Sequence, residues 1–295
     1  MGPGKYTESY ANMWTWIVGD GNDPEYTGAP IRNYLQNNLE SKGTKEQAQR
    51  AQNAYSELST AIQQRLGRSP GATFTIGEDR YVLLSLQRVY WGKGAPSEIQ
   101  DALWLATLLG VVKPSNVNRY CRECLGVDCG GFVASYWGFG KPSFSDLKPA
   151  GSAGMLPREF WAEAANRRRP RPEQIQTGDA VIFFEGKVVG NDPSTRAPQK
   201  ADGSYDTTQG TKAFHIGLVD SVSVLNDKVV TLSVAESSGA ASQYSGHGVN
   251  VRNVNIQSTT IAGGLVGCSV SSSERLYFVG PREGRIAPYQ SQFGD

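Results

Sequence analysis

The apolar residues of this chain keep two different periods, and the change between them is the strongest constraint on its fold. Ala51, Ala54, Tyr55, Leu58, Ile62 and Leu66 recur at three- and four-residue steps and end at Gly67, a helix stop. Thr44-Lys-Glu-Gln47 reads as the capping box that opens this helix. A second helix is expected over residues 79–90, where Val82, Leu83, Leu86, Val89 and Tyr90 share a face. Ser97-Glu-Ile-Gln100 reads as another capping box, opening a helix through Ile99, Leu103, Ala106 and Leu109 to Gly110. Beyond residue 175 the period becomes strand-like, in short β-rich segments at 180–184, 215–224, 229–234, 249–256 and 275–279. Helices first and strands later, without regular alternation, predict an α+β fold with an antiparallel sheet.

Composition narrows the partners. The 29 Lys and Arg balance 28 Asp and Glu to a net charge of +1, so no whole-chain basic field argues for nucleic acid. Hydrophobic residues at 39% fit a globular chain, and 34 Gly with 15 Pro make it loop-rich. The longest apolar stretches, such as residues 127–137, are too short for a membrane span. Two irregular stretches, 141–176 and 186–212, are expected to form functional walls or lids. The helices of the first hundred residues would pack on the rest of the protein or offer a face to a partner.

The segment richest in chemistry is Tyr120-Cys-Arg-Glu-Cys-Leu-Gly-Val-Asp-Cys-Gly-Gly-Phe-Val-Ala-Ser-Tyr-Trp137. Asp128 can cap a helix that begins at Cys129. At a helix N-terminus, backbone N–H groups and the macrodipole favour the thiolate, which is the nucleophilic form of cysteine. The same N–H groups can donate to the oxyanion formed when that thiolate attacks a carbonyl. Gly130 and Gly131 leave room for a substrate backbone; a buried structural cysteine after an Asp is the alternative. A thiol nucleophile needs a base, and the chain has two histidines. His215 opens an apolar strand and can be aimed by a rigid backbone, whereas His247 lies in a Ser-Gly-His-Gly turn. Glu236, at the end of the next strand, is placed to orient the imidazole; the alternative is a solvated strand-end carboxylate. Asp220 is the runner-up, but it sits roughly 16 Å along the same strand as His215.

Three blocks in order, Asp128-Cys-Gly-Gly-Phe-Val133, Gly178-Asp-Ala-Val-Ile-Phe-Phe184 and His215-Ile-Gly-Leu-Val219, resemble those of the NlpC-type cell-wall peptidases. These are papain-like cysteine hydrolases, with the CHAP amidases as relatives. The resemblance spans roughly residues 97–285. It implies a papain-like fold, in which an N-terminal helix carrying the cysteine packs on an antiparallel sheet carrying the histidine. It also implies hydrolysis of amide bonds in peptidoglycan stem peptides, and makes Tyr120 the tyrosine expected near the oxyanion. Asp128 and Gly130 fall in its substrate-facing block. Gly130 stands where the family usually has Ser, and Glu236 where it more often has His, Asn or Gln. The Cys129 to His215 separation is long for the family, which marks 186–212 as an insertion expected beside the cleft.

These readings divide the chain into a helical region at 1–95, a hydrolase domain at 96–285 and a tail at 286–295. The expected enzyme is a cysteine amidase or endopeptidase that uses no metal or organic cofactor. Cys121 and Cys124 form a CxxC that lacks partners for a zinc site; it holds either free thiols or a disulfide made after export. The Arg167-Arg-Arg-Pro-Arg171 run is a solvated loop, or a contact for an anionic wall polymer or an acidic inhibitor protein. The first residues lack the pattern of a secretory signal. The expectation is therefore synthesis in the cytoplasm and action in the periplasm or wall, as an exported antibacterial effector or a phage lysin. The alternatives are a papain-like effector protease or deamidase acting on a protein, and a silent wall-binding module.

Overall fold

The structure is a computed structural model that describes residues 1–18, 24–31, 33–36, 45–138, 156–239 and 248–281. The first helix, α1 (Pro3–Ala11), leads into a hairpin of β1 (Trp14–Val18) and β2 (Pro24–Gly28). A long helix follows, α2 (Lys45–Leu66), and then a second hairpin of β3 (Thr73–Ile76) and β4 (Asp79–Val82). Four helices come next: α3 (Leu83–Tyr90), α4 (Pro96–Leu108), α5 (Val117–Cys124) and α6 (Cys129–Tyr136). After α7 (Pro157–Glu163) the chain turns to strands: β5 (Ala180–Gly186), β6 (Thr211–Leu225), β7 (Lys228–Ser238), β8 (Gly248–Val254), β9 (Ser258–Ala262), β10 (Leu265–Ser269) and β11 (Glu274–Val279). These seven form one sheet in the order β8-β7-β6-β5-β11-β10-β9, with every neighbouring pair antiparallel. The molecule is thus α+β with antiparallel sheets, as the change of period predicts.

Local chemistry explains several elements. Asn226 and Asp227 both take positive φ, at 50° and 58°, in the two-residue turn between β6 and β7. That is the conformation such tight hairpins demand. Gly67 ends α2 at φ 66°, as expected, while Thr44 of the predicted capping box lies outside the described residues. The helix expected over residues 79–90 begins only at Leu83. Gly77, at φ 64°, turns the chain so that residues 79–82 pair with β3, and Phe74 stacks on Tyr81 with ring centroids 5.6 Å apart. The capping box of α4 also sits earlier than expected. Pro96 occupies the first turn, and Glu98 Oε2 accepts from the Ala95 N–H at 2.9 Å.

Alternation along β5 gives the sheet two apolar faces. Ala180, Ile182 and Phe184 join the core shared with the helices, and Val181 and Phe183 join a second core built chiefly from strand residues. The sheet curls around this second core, bringing β9 back to β7, where the Val229 N–H donates to Thr259 Oγ1 at 3.0 Å. On the helical side, α6 lies against β6 and β7. Residues on either side of position 95 share that core: Tyr6 of α1 packs on Phe132 and Tyr136 of α6, at 5.4 and 5.3 Å between rings. Among the described residues no helix is long and apolar enough to cross a membrane.

The 186–212 stretch is anchored on α7 and on the β9–β10 turn. Arg158 donates to the carbonyls of Pro193, at 3.0 Å, and Thr211, and Asn191 Nδ2 donates to the Ala262 and Leu265 carbonyls.

Candidate active site

Asp128 caps α6 in extended backbone, at φ −87° and ψ 172°, and its Oδ1 accepts from the Gly131 N–H at 2.6 Å. Its other oxygen is paired with the buried ammonium of Lys93. Burial pushes the Asp128 carboxyl above its ordinary range, while Lys93 and the N–H groups of Gly131 and Gly130 pull the other way. Three segments, 33–36, 92–94 and 125–128, meet at this helix start. The Asp128 N–H donates to Gly92 O at 2.8 Å, and the Val127 N–H donates to Asn33 O at 3.2 Å. A Cβ at Gly131 would come within 2.4 Å of Gly92 O, so this approach needs glycine. Asp128 is therefore a helix cap with both oxygens engaged, not a group offered to substrate. The Gly130 N–H is likewise committed to the Asp128 carboxylate. Cys129, at the first helical position, keeps a backbone N–H that the helix itself does not use.

The partner of Cys129 comes from the sheet. Phe214 and His215 of β6 together oppose the single Phe183 of β5, a bulge that bends the strand and re-aims its side chains. The His215 ring lies 5.1 Å from the Phe183 ring, and its Nε2 is 2.8 Å from Glu236 Oε2. With Nε2 committed to Glu236, Nδ1 is the nitrogen left for the Cys129 side chain, which stands close enough to favour the imidazolium. Burial opposes the imidazolium, but the Glu236 charge, the neighbouring Cys129 and the Glu236 hydrogen bond outweigh it and push the pKa up to about 10. The structure thus brings together Cys129, His215 and Glu236, the three residues named from sequence.

Glu236 has a further partner that the sequence did not reveal. Arg252 Nε, on β8, donates to Glu236 Oε1 at 2.6 Å. Burial works against the Glu236 carboxylate, yet His215 and Arg252 together hold it below its ordinary range. The link between the two halves of the site is tied by Ser237 Oγ, which donates to Val127 O at 2.5 Å.

Tyr120 is not the tyrosine at this site. Its hydroxyl is paired with that of Tyr90 at 2.7 Å, and burial raises its pKa well above the ordinary value. Tyr34 stands beside Cys129 instead, near enough for the cysteine to act on its hydroxyl. Burial, then the charges of Cys129 and Asp128, keep that hydroxyl protonated. Its ring covers Gly239, where a Cβ would fall 2.4 Å from Tyr34 Cδ1. No local motif marks Tyr34, because the contact depends on the distant pairing of Asn33 with Val127.

The remaining candidates have other places. His247 lies outside the described residues. Asp220 accepts the Gly4 N–H at 2.6 Å and so holds the start of α1. Cys121 and Cys124 carry free thiols, which burial pushes up to about 12 and about 11. Three arginines of the run, expected as a solvated loop, make contacts within the fold, and Arg171 is exposed. Arg167 Nη1 donates to Gly280 O at 2.7 Å, Arg168 stacks 3.9 Å from the centre of a Trp161 ring, and Arg169 grips Asp179 with two nitrogens. Comparisons with protein-family models, curated proteins and solved structures give no match for this chain.

Proposed function

We propose that the chain is a papain-like cysteine hydrolase that cleaves amide bonds in peptidoglycan stem peptides. The observation that carries this reading is the contact of Cys129, at a helix N-terminus, with an imidazole whose far nitrogen is held by Glu236. In the proposed cycle His215 Nδ1 takes the thiol proton and the Cys129 sulfur attacks the amide carbonyl carbon. The Cys129 N–H and the Tyr34 hydroxyl donate to the tetrahedral oxyanion. His215 then protonates the leaving amine as the C–N bond breaks, leaving a thioester. Water, deprotonated by His215, cleaves that thioester and restores the thiol.

The substrate class rests on the three-block resemblance, and the enclosure of the pair supports it. Cys129 and His215 are only 7% and 9% exposed, which suits a slender peptide entering beside Tyr34 better than the surface of a folded protein. Such an enzyme acts at the wall or in the periplasm, as an exported effector or a lysin, and an inhibitor protein would cover the Tyr34 side. The test is mass analysis of purified sacculi digested by the parent chain and by a folded Cys129→Ala variant. New amine and carboxyl ends released by the parent alone support the reading. Equal release by the variant removes Cys129 as nucleophile, and intact sacculi with both chains turn the search to a protein substrate.

A further inference from the structure

Glu236 is fully buried, and both of its oxygens are engaged: Oε2 with His215 Nε2 at 2.8 Å and Oε1 with Arg252 Nε at 2.6 Å. Arg252 is buried too, and its guanidinium lies 5.0 Å from the Phe183 ring that also faces His215. A carboxylate withdrawn from water needs compensating charge. With His215 as its sole compensation, loss of the imidazole proton would leave a bare buried anion, and the proton would stay trapped in the pair. A guanidinium keeps its charge at every working pH. The carboxylate therefore stays compensated whether the imidazole is charged or neutral.

We propose that Arg252 is a positioning residue that keeps Glu236 ionised and aimed, and so frees His215 to take up and release a single proton. The inference rests on the reading of Cys129 and His215 as the reacting pair and adds a residue that this reading did not include. The charged and titratable groups facing the imidazole are Glu236 from β7 and Cys129 from α6, with Arg252 from β8 behind Glu236. Tyr34 and the Asp128–Lys93 pair stand beside Cys129. The direction of the effect follows from net charge. With Arg252 present, His215 and Glu236 lose their shared proton to become part of a neutral cluster; without it, the same step leaves a buried charge of one negative unit. Removing the guanidinium must therefore raise the pH at which the proton leaves.

The test follows the His215 imidazole by NMR in the full chain carrying Cys129→Ala and His247→Asn, which removes the thiol and leaves one histidine. Adding Arg252→Met is expected to raise the imidazole pKa by at least about one pH unit, and Arg252→Lys to return it to within about half a pH unit. With Arg252 in place, the Glu236 carboxyl carbon is expected to show no ionisation step over the range in which the imidazole titrates. An unchanged imidazole pKa in a folded Arg252→Met chain would overturn the proposal. So would a Glu236 carboxyl that titrates together with the imidazole while Arg252 is present. The second measurement needs no change at Arg252, so it decides the matter even where Arg252→Met does not fold. Neither reads turnover, so a chain inactive on sacculi still gives the answer.

Discussion

Gly217 of β6 and Glu236 of β7 approach closely just past Leu218 and Ala235, the last paired residues at this end of the two strands. A Cβ at position 217 would stand 3.3 Å from the Glu236 Cβ and 2.5 Å from Val234 Cγ1. The missing side chain is what lets the carboxylate lean along the sheet face to His215, two residues farther on the same side of the strand. Gly217 therefore belongs to the site although it carries no functional group.

Gly217→Ala is expected to destabilise the fold by about 1–3 kcal/mol, the range for overfilling a tight interior. It should also loosen the hold of Glu236 on His215. Urea unfolding measures the first effect and the imidazole NMR signal the second. A variant as stable as the parent, with an unmoved imidazole signal, would mean that β6 and β7 separate without strain.

Glu236→Gln keeps the shape of the side chain and an oxygen that can accept from Arg252, but removes the charge that stabilises the imidazolium. Turnover on muropeptides is expected to fall by about a hundredfold or more. The circular dichroism spectrum should stay that of the parent. Full activity in this variant would reduce Glu236 to a packing residue.

The two tyrosines offer a paired comparison. Tyr34→Phe removes a hydroxyl beside Cys129, and kcat is expected to drop about tenfold to a thousandfold with little change in KM. Tyr120→Phe removes one partner of the Tyr90 hydroxyl; it should lower stability by about 1 kcal/mol and leave kcat unaltered. The reverse pattern would return the oxyanion role to Tyr120.

The parts of this site that could be read from sequence are those whose chemistry is local. Asp128 before Cys129 is a cap wherever a helix starts, and strand alternation brings His215 and Glu236 to one face. Tyr34 and Arg252 were illegible for the opposite reason. Their contacts arise from the approach of residues 33–36 to 125–128 and from the register of β8 on β7, neither of which leaves a local motif. The same distinction runs through the fold. Tyr81 and Val82 satisfy a helical and a two-residue period equally, and only the turn at Gly77 decides for the hairpin. Strands β9 and β10 carry little signal of their own, because each is five residues long and β9 is largely solvent-facing.

The last prediction concerns acid and base stability, where His215 and Glu236 shift in opposite directions on folding. Burial disfavours charge at both, but their mutual attraction prevails, with help from Cys129 on one side and Arg252 on the other. The imidazole moves from 6.5 up to about 10, so its contribution is complete below 6.5 and is lost as the pH climbs through about 10. The carboxyl moves down from 4.5, so its contribution is present above 4.5 and is lost as the pH falls through the lower folded value. The advantage of the parent over His215→Gln in thermal midpoint should therefore be greatest between 4.5 and 6.5 and should shrink steadily toward pH 10. Comparing the two chains cancels the titration of groups elsewhere in the molecule. An advantage that stayed level from about pH 6 to about pH 10 would mean that His215 is neutral in the fold, because a neutral imidazole has no charge to lose over that range.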